Sequence, residues 1–247
     1  MKNFYHILFD NVRCYESLIS TQEKADDLIR AKSLLGNFLL VAKQQTLGKG
    51  RKKNLWWSPQ GGLWMTAALY NLDITRNLSI FTGISLHRSL LNLHPDLAEN
   101  LRLKWPNDIY YRNKKICGIL SSYLENHKYH LLGIGINTNI LSITKELENQ
   151  VTSLQIILKK KIDHRLLLKT FWDIFSTQLP EFIEKGLDIN YFEKYSYLFG
   201  KKIEFNTDFQ KYIGVVHGIN VGGALILKLE SGLIQPFYAG SISILPH

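Results

Sequence analysis

The pattern of hydrophobic and polar positions changes along the chain, and the change predicts two kinds of structure. Up to about residue 195, short apolar runs alternate with segments of helical periodicity, which is typical of mixed helix and strand structure. Beyond that point, short apolar segments follow one another closely, at residues 202–205, 212–217, 224–229, 233–238 and 241–245. Closely spaced strands separated by glycine turns predict a small β-barrel. We therefore predict two domains, residues 1–198 and residues 199–247.

Capping and chain-breaking residues locate the elements of the first domain. Ser20 and Glu23 form a capping box, which predicts a helix. The glycine-rich, cationic segment 44–62 predicts a loop. Strands are predicted at 38–43, 63–70, 101–105, 115–124 and 129–137, and further helices after Ser79, after Asp163 and at 188–198. Pro180 predicts a kink or a split in the long helix that follows Asp163.

Composition narrows the class of protein. A chain of 247 residues buries enough surface to fold without disulfide or metal staples, and Cys14 and Cys117 are too few for either. No apolar run approaches the roughly 18 residues of a membrane-spanning helix. The first residues lack the pattern of a secretory signal. We therefore predict a soluble, cytoplasmic protein with no membrane association.

The charge indicates an anionic partner. Lys and Arg number 30 against 21 Asp and Glu, which gives a net charge of +9 at pH 7. Such an excess of cations favours nucleic acid, phosphate, a nucleotide or an acidic protein as the partner. A lysine-rich, solvated surface explains the same number, and composition alone favours this second interpretation.

A cationic, glycine-containing segment carries the first candidate chemistry. Residues 49–53 contain four cations in five positions, and Gly48 and Gly50 allow a positive φ and close approach of a ligand. Backbone N–H groups and cations on such a loop suit a phosphate. The spacing is neither that of a Walker A motif nor that of a dinucleotide fingerprint. A flexible basic surface loop is the alternative interpretation.

Two further segments place polar residues and glycines beside predicted strands. Asn107 and Asp108 follow a strand and a proline, where their side chains can reach a ligand or Mg²⁺. Lys115 begins the next strand and supplies a donor beside the same turn. Gly133 and Gly135 weaken an apolar strand, which indicates that another group lies against it. An ordinary hairpin turn and a β-bulge are the alternatives.

Taken together and in this order, the segments resemble the biotin protein ligases, also called holocarboxylase synthetases. The shared features are Ser-Thr-Gln at 20–22, Gln-Thr-x-Gly-Lys-Gly-Arg at 45–51, Trp-x-Ser-Pro-x-Gly at 56–61, Lys-Trp-Pro-Asn-Asp at 104–108 and Gly-Ile-Gly-Ile-Asn at 133–137. The resemblance spans essentially the whole chain. It implies an α+β fold, in which a mixed sheet flanked by helices forms a class II synthetase-like ligase domain and a small SH3-like β-barrel follows.

The resemblance also implies an activity and its site. The family forms biotinyl-5′-AMP from biotin and MgATP, releases pyrophosphate, and transfers biotin to a lysine of a biotin carboxyl carrier domain. The implied biotin contacts are Ser20, Thr21, Gln22, Gln45, Lys49, Gly50, Arg51, Lys115, Gly118, Gly133, Gly135 and Ile136. The implied ATP contacts are Lys49, Arg51, Asn54, Trp57, Asn107, Asp108, Lys115 and Asn137. Arg51 and Lys115 would be catalytic, because two reacting anions need their repulsion cancelled, and Asp108 would bind Mg²⁺.

Three alternatives compete with this resemblance. A lipoate or octanoate ligase of the same fold has a different arginine and glycine signature and lacks Lys-Trp-Pro-Asn-Asp. A repressor-type ligase needs an N-terminal DNA-binding domain, and the residues before Ser20 are too few for one, so we expect a ligase-only form. A nucleic-acid-binding module would show basic and aromatic positions interleaved along strands, which residues 199–247 lack. We expect no nucleic acid partner, and either a monomer or a homodimer.

Overall fold

The computed structural model describes residues 4–74 and 77–245, which form two large β-sheets, a separate hairpin and flanking α-helices. The strands are, in chain order, β1 (Asn11–Tyr15), β2 (Phe38–Ala42), β3 (Gln45–Lys49), β4 (Leu55–Ser58), β5 (Leu63–Tyr70), β6 (Leu101–Lys104), β7 (Asp108–Tyr111), β8 (Lys114–Leu124), β9 (Tyr129–Ile136), β10 (Lys202–Asn206), β11 (Lys211–Ile219), β12 (Leu225–Leu229), β13 (Ile234–Phe237) and β14 (Ser241–Ile244). The helices are α1 (Thr21–Arg30), α2 (Leu78–Leu93), α3 (Leu154–Leu158), α4 (His164–Lys185) and α5 (Ile189–Lys194).

The larger sheet is mixed and has helices on both faces. Its strands pair in the order β1-β2-β5-β9-β8-β7-β6, with β1 parallel to β2 and the other pairs antiparallel. Successive side chains of a strand point to opposite faces, so apolar residues on both sides demand cover on both sides. On one face Met65 packs in the main core with Phe81 of α2 and Phe175 of α4. On the other face Leu131 packs with Leu28 of α1.

The second sheet is antiparallel and follows the helices. Its strands pair in the order β13-β12-β11-β10-β14. Its inward-facing Phe205 and Phe237 are buried in the same core as the helices of the first sheet, and the indole N–H of Trp105 donates to the carbonyl of Gly223 at 2.8 Å. The α+β fold, the mixed sheet and the small C-terminal barrel-like unit are therefore confirmed, as are all the predicted C-terminal strands.

The loop predicted at 44–62 is wrong, because β3 and β4 pair there as an antiparallel hairpin. The pairing is irregular between Gln45 and Gly48, and a 3₁₀ turn at Arg51–Lys53 reverses the chain. A Cβ on Gly48 would lie 2.6 Å from the hydroxyl of Ser58, so the glycine is needed for the two strands to approach. Glycines and cations hide the alternation that identifies strands, and the pattern therefore resembles a loop.

The helix ends follow the predicted caps with two corrections. Ser20 and Asp163 cap α1 and α4 as predicted. Asn77 rather than Ser79 caps α2, and α4 continues through Pro180 without a split. Pro180 is exposed, so water can solvate the carbonyl that its missing N–H leaves without a partner. The short elements β1, β7 and α3 were not predicted, and α5 ends earlier than predicted. Among the described residues, no helix is both long and apolar enough to cross a bilayer.

Acidification is expected to destabilise the fold through His87. Burial lowers the pKa of this side chain to about 4, and its two ring nitrogens lie 2.8 Å from the Tyr191 hydroxyl and 3.2 Å from the Leu101 carbonyl. Because the pKa is lower in the folded state, the unfolded state binds more protons below its own pKa of about 6.5. The free energy of unfolding should therefore fall by about 3 kcal/mol between pH 6.5 and pH 4.

Urea unfolding of the His87→Gln variant across this pH range measures the effect. The variant should show a flatter acid limb than the parent, whereas His217→Gln, at an exposed position, should keep the parental slope. Burial also lowers the pKa values of His94, His130 and His164, which add to the acid limb in the same direction. An unchanged slope in His87→Gln would assign the whole limb to those other histidines and contradict the prediction.

Candidate active site

A cavity of about 420 Å³ lies on the face of the larger sheet that α1 covers. Leu131 of β9 packs with α1 on this face, and side chains alternate along a strand, so Gly133 and Gly135 face the same way. Gly135 is paired in register with Gly118 of β8. Adjacent strands therefore lack side chains where neighbouring positions carry large ones. The resulting cleft has the size of a small-molecule site.

One end of the cavity is a hydrogen-bonded group of hydroxyls and amides. The backbone N–H and the hydroxyl of Thr21 donate to Oε1 of Gln45 at 2.7 and 3.0 Å, and Thr66 donates to the Thr21 hydroxyl at 2.8 Å. Nε2 of Gln45 donates to the Ser58 hydroxyl at 2.8 Å. Ser20, which caps α1, also lines this end. These bonds fix the direction of each polar group, so this end suits a ligand head with both donors and acceptors.

Gln22 closes the cleft beside this polar end. Its Nε2 donates to the Ser122 hydroxyl at 3.0 Å, and its Oε1 lies 3.3 Å from the Thr66 hydroxyl. A Cβ on Gly133 would lie 2.6 Å from Oε1 of Gln22. The side chain therefore extends from α1 to β8 and lies directly on the backbone of β9, and glycine at 133 is what permits this contact.

The indole of Trp56 lies over the other two glycines. A Cβ on Gly135 would lie 2.4 Å from its Nε1, and a Cβ on Gly118 would lie 2.8 Å from the ring. The register of β9 with both neighbours is regular here, so the β-bulge alternative is wrong and the prediction of a group against this strand is confirmed. Among the described residues, the buried Nε1 of Trp56 has no hydrogen-bond partner. A donor in this state is available to a ligand in the cleft.

The opposite end of the cavity carries charge. Nζ of Lys115 lies 2.7 Å from Oδ1 of Asp108, with the two side chains 22% and 16% exposed. The same ammonium lies 4.8 Å from the centre of the Trp56 ring. Asn137 is buried beside this end; its Nδ2 donates to the Thr152 carbonyl at 3.1 Å. Its Oδ1 has no partner within the part of the chain that the structure describes, which leaves a buried acceptor next to the charged groups.

Arg51 faces this charged end from the hairpin turn. Its guanidinium donates to Oδ1 of Asn107 at 3.4 Å and to the carbonyl of Gly240 at 3.5 Å. Both bonds are long, and they use only two of the five guanidinium N–H donors. The other donors are available to an anion. Lys49 instead pairs with Glu23 of α1 at 2.6 Å, and both side chains are exposed at the rim.

The backbone of this turn differs from the expectation. The left-handed residue is Lys52, with φ of 53°, whereas Gly50 has φ of −111° and Gly48 is extended in β3. A single left-handed residue completes the 3₁₀ turn and sets the position of Arg51 just before it. Gly48 and Gly50 are needed because the two sides of the hairpin lie close together there, and neither glycine has a positive φ.

The cavity brings together residues from all the motifs. Its lining includes Ser20, Thr21, Gln22, Gln45, Lys49, Gly50, Arg51, Asn54, Trp57, Asn107, Asp108, Lys115, Gly118, Gly133, Gly135 and Asn137. The prediction that Ile136 lines the cavity is wrong, because its side chain is fully buried in the main core. Gly135 faces the cleft, and alternation along β9 turns its neighbour to the opposite face.

Several lining residues carry no motif in the sequence. Thr66 belongs to an apolar strand, and its hydroxyl reaches the polar end only through strand register. Leu147, Gln150 and Val151 also line the cavity, because Lys115 pairs with Val151 in a parallel bridge and its N–H donates to the Gln150 carbonyl at 2.8 Å. This segment is far from Lys115 in sequence and has no periodic pattern, so only the tertiary structure identifies it.

The site offers one carboxylate and no preformed metal cage. In residues 4–74 and 77–245, no three His, Cys, Asp or Glu side chains converge on a metal position. Asp108 is the described carboxylate that lines the cavity. Mg²⁺ is commonly held by one or two carboxylates together with substrate phosphates, so this donor set fits a metal that arrives with a nucleotide. Burial raises the pKa of the Cys117 thiol, which makes it an inert packing residue.

Comparisons with known proteins give one consistent result. The biotin/lipoate A/B protein ligase family matches residues 15–139, and the biotin protein ligase C-terminal domain matches residues 198–245. The bifunctional ligase/repressor BirA of Bacillus spizizenii is 27% identical over 252 residues, which are 97% of this chain and 74% of that protein. The human biotin–protein ligase is 34% identical over 112 residues, 40% of this chain and 15% of that protein.

Among solved structures, the biotin protein ligase from Aquifex aeolicus in complex with biotin and ATP aligns with a TM-score of 0.83. Its sequence is 27% identical, and the alignment covers 97% of this chain and 100% of that one. The mixed sheet and the small C-terminal sheet of this chain agree with that structure and with the two family models, which are those of protein ligases. The chain belongs to the biotin/lipoate A/B protein ligase family.

Proposed function

We propose that the cavity binds biotin and ATP side by side and that the chain is an ATP-dependent biotin protein ligase. It makes biotinyl-5′-AMP and then transfers the biotinyl group to a lysine of another protein. The observation that carries this assignment is the order of groups along the cleft. A polar end around Thr21 and Gln45, a glycine-floored middle at Gly118 and Gly135, and a cationic end at Lys115 follow one another.

The polar end suits the ureido ring of biotin. This ring presents two N–H donors and one carbonyl acceptor, and the hydroxyls of Ser20, Thr21 and Thr66 with the amide of Gln45 complement both kinds of group. The hydrocarbon chain of biotin then extends over Gly118 and Gly135, where side chains would obstruct it. Its carboxylate is thereby directed toward the cationic end.

The cationic end suits the chemistry of the first step. An oxygen of the biotin carboxylate attacks the α-phosphorus of ATP, the bond from that phosphorus to the bridging oxygen breaks, and diphosphate leaves with the electron pair. Arg51 and Lys115 would cancel the repulsion between the two reacting anions and stabilise the charge that develops. Asn107, Asn54, Trp57 and Asn137 would contact the nucleotide.

Asp108 would take part in binding of Mg²⁺ that enters with ATP. A magnesium ion supplies positive charge to the phosphate oxygens and helps diphosphate to leave. Asp108 already forms an ion pair with Lys115 at 2.7 Å. Its carboxylate would therefore hold both the lysine and the metal-bound nucleotide in place. The absence of further carboxylates in the described lining favours a metal held mainly by the phosphates.

In the second step, the ε-amine of the acceptor lysine attacks the acyl carbon of biotinyl-5′-AMP. The bond between that carbon and the phosphate oxygen breaks, AMP leaves, and the amine loses a proton. The nucleophile comes from the partner, a biotin carboxyl carrier protein, so the enzyme has only to position and shield the adenylate. We assign the chemistry to residues 1–198 and a closing role to residues 199–247, since the Gly240 carbonyl contacts Arg51.

Biotin-dependent exchange of labelled diphosphate into ATP tests the first step, and the mass of a carrier domain incubated with enzyme, biotin and MgATP tests the second. We expect exchange with biotin and a carrier domain heavier by one biotinyl group. Exchange with lipoate but not with biotin would contradict the assignment in favour of the lipoate-ligase alternative.

Gly135→Ala is expected to raise the KM for biotin by about tenfold or more. Its new Cβ would lie 2.4 Å from Nε1 of Trp56, so the indole must move into space that biotin needs. A loss of this size corresponds to about 1.4 kcal/mol, within the range for overpacking a tight site. The KM values of purified variants in the exchange assay measure it.

Gly83→Ala is the matched control for this variant. Position 83 lies within α2, where a Cβ would meet other atoms only at 3.6 Å. Alanine favours the helix there, and biotin KM should stay at the parental value. Equal biotin KM values for the two variants would refute the placement of biotin over Gly135.

A further inference from the structure

Two lysines outside the cavity, Lys104 and Lys201, lie next to its cationic end. Nζ of Lys104 lies 3.2 Å from the hydroxyl of Tyr110 and 4.5 Å from the centre of its ring. Lys201 lies 3.8 Å from the centre of the Tyr197 ring, and the Tyr110 and Tyr197 rings stack at 5.2 Å. Two ammonium groups are thus held by two tyrosines at the junction of the two sheets. Neither lysine lines the cavity described above.

This group has an excess of positive charge. Burial lowers the pKa of Lys104; Asp108 opposes this change, and Lys115 and Lys201 add to it. Lys104 is therefore close enough to feel the carboxylate of Asp108 and the ammonium groups of Lys115 and Lys201. The carboxylate of Asp108 is already paired with Lys115 at 2.7 Å. Half-buried cations without a matching anion are costly, and such sites attract anions.

Strand register connects this group to the biotin cleft. Across the sheet, Gly135 of β9 pairs with Gly118 of β8, Gly118 pairs with Asp108 of β7, and Asp108 pairs with Lys104 of β6. Neighbouring strands are about 4.8 Å apart, and paired residues share one face. Lys104 therefore lies about 10 Å from the glycine floor, beyond Asp108 and on the same face.

The Tyr197 side chain fixes the far side of the group. Its hydroxyl donates to Oδ1 of Asn113 at 3.0 Å, and its backbone N–H donates to the Leu103 carbonyl at 2.8 Å. Lys201 follows in the link to β10, so its position depends on this attachment to the edge strand β6. The two lysines are held by separate elements of the chain and converge only in the folded protein.

We propose that Lys104 and Lys201 form a binding site for the diphosphate group, next to the position where Lys115 meets the α-phosphate. This inference rests on the proposed function. In the first step, the bond from the α-phosphorus to the bridging oxygen breaks, and the departing diphosphate gains one negative charge. The ammonium group of Lys104, one strand beyond Asp108, and that of Lys201 beside it compensate that charge. Lysine suits this role because it is a mobile point charge with three donors.

Charge-neutral variants test the site in the exchange assay. Lys104→Met and Lys201→Met keep the apolar stem and remove the ammonium, and each should raise the KM for diphosphate about tenfold. The KM for biotin should change less than twofold, since the biotin cleft is untouched. Lys202→Met is the matched control, because Lys202 is exposed and pairs with Glu230 at 2.8 Å, and its diphosphate KM should be parental.

Further arms separate the possible outcomes. Lys104→Arg retains the charge and should restore the diphosphate KM to within threefold of the parent, which a purely structural role for Lys104 would not predict. If the KM for ATP rises together with that for diphosphate, the site holds the β- and γ-phosphates of the substrate; if diphosphate alone is affected, it holds the departing product. Either result supports the site. Parental diphosphate KM values in both methionine variants overturn it.

Direct titration of the ligand-free protein with inorganic diphosphate distinguishes this inference from the proposed function. Suppose that both methionine variants bind diphosphate about tenfold more weakly than the parent, but the parent shows no biotin-dependent exchange. The anion site would then be supported and the proposed function would be wrong. If the parent shows biotin-dependent exchange and neither variant binds diphosphate more weakly, the proposed function would be supported and the diphosphate site would be wrong. Thermal melting of each variant checks that it is folded, and Lys201→Met decides the outcome if Lys104→Met is not.

Discussion

Replacing Arg51 with alanine is expected to reduce biotin-dependent ATP–diphosphate exchange by about 10²- to 10³-fold at saturating substrate, the range for loss of one electrostatic stabiliser of a transition state. The guanidinium lies between Oδ1 of Asn107, in the turn from β6 to β7, and the Gly240 carbonyl, at 3.4 and 3.5 Å. These contacts orient the guanidinium and use two of its five N–H donors. The attack of a carboxylate on a phosphate needs the other donors most at the transition state.

Two comparisons make the Arg51 prediction specific. Arg51→Lys keeps the charge and removes the planar fork, so it should recover only part of the rate. Lys52→Ala removes the adjacent exposed cation and should leave exchange unchanged, which separates a positioned guanidinium from the general charge of the loop. Parental kcat in Arg51→Ala would show that another cation carries the reaction.

Replacing Lys115 with methionine is expected to have two effects that can be separated. Exchange should fall by about 10²- to 10³-fold, because the ammonium lies beside the phosphate path. Stability should also fall, by about 2 kcal/mol, because Asp108 is 16% exposed and loses its ion-pair partner at 2.7 Å. The rate of biotin-dependent ATP–diphosphate exchange measures the first effect, and urea unfolding measures the second independently.

The double variant Lys115→Met with Asp108→Asn distinguishes catalysis from folding. Removing both charges should recover most of the lost stability and none of the activity. Lys114→Met is the matched control, since Lys114 is exposed and donates to the Glu148 carbonyl at 2.6 Å outside the cavity. Recovery of exchange in the double variant would show that Lys115 acts only by neutralising Asp108.

Local patterns predicted most of the fold. The strand at Leu63–Tyr70 is found at the predicted residues, and the caps of α1 and α4 are Ser20 and Asp163 as expected. Each depends on residues that are close in sequence, on alternation in the strand and on a side-chain oxygen one turn from an N–H in the helix caps. The hairpin β3–β4 was missed because its glycines and cations interrupt alternation, and its strands exist through pairing with each other.

Motifs predicted which residues would meet, and the structure decided how they are arranged. Lys49 carries the same charge as Arg51 in the sequence, but it pairs with Glu23 at the rim, whereas Arg51 turns toward Asn107. Ile136 sits beside Gly135 in the motif but faces the core. The direction of a side chain depends on strand register and turn geometry, which motif spacing does not specify.

The sequence by itself determined the class of fold, the resemblance to biotin protein ligases and more than half of the lining of the cavity, since these depend on residue type and order. Only the tertiary structure decided that Trp56 lies on Gly118 and Gly135, that Gln150 and Val151 reach Lys115, and that Lys104 and Lys201 converge on the stacked rings of Tyr110 and Tyr197. These contacts join segments far apart in the chain. Their geometry follows from sheet register and from the packing of the two sheets against each other, and no local pattern encodes either.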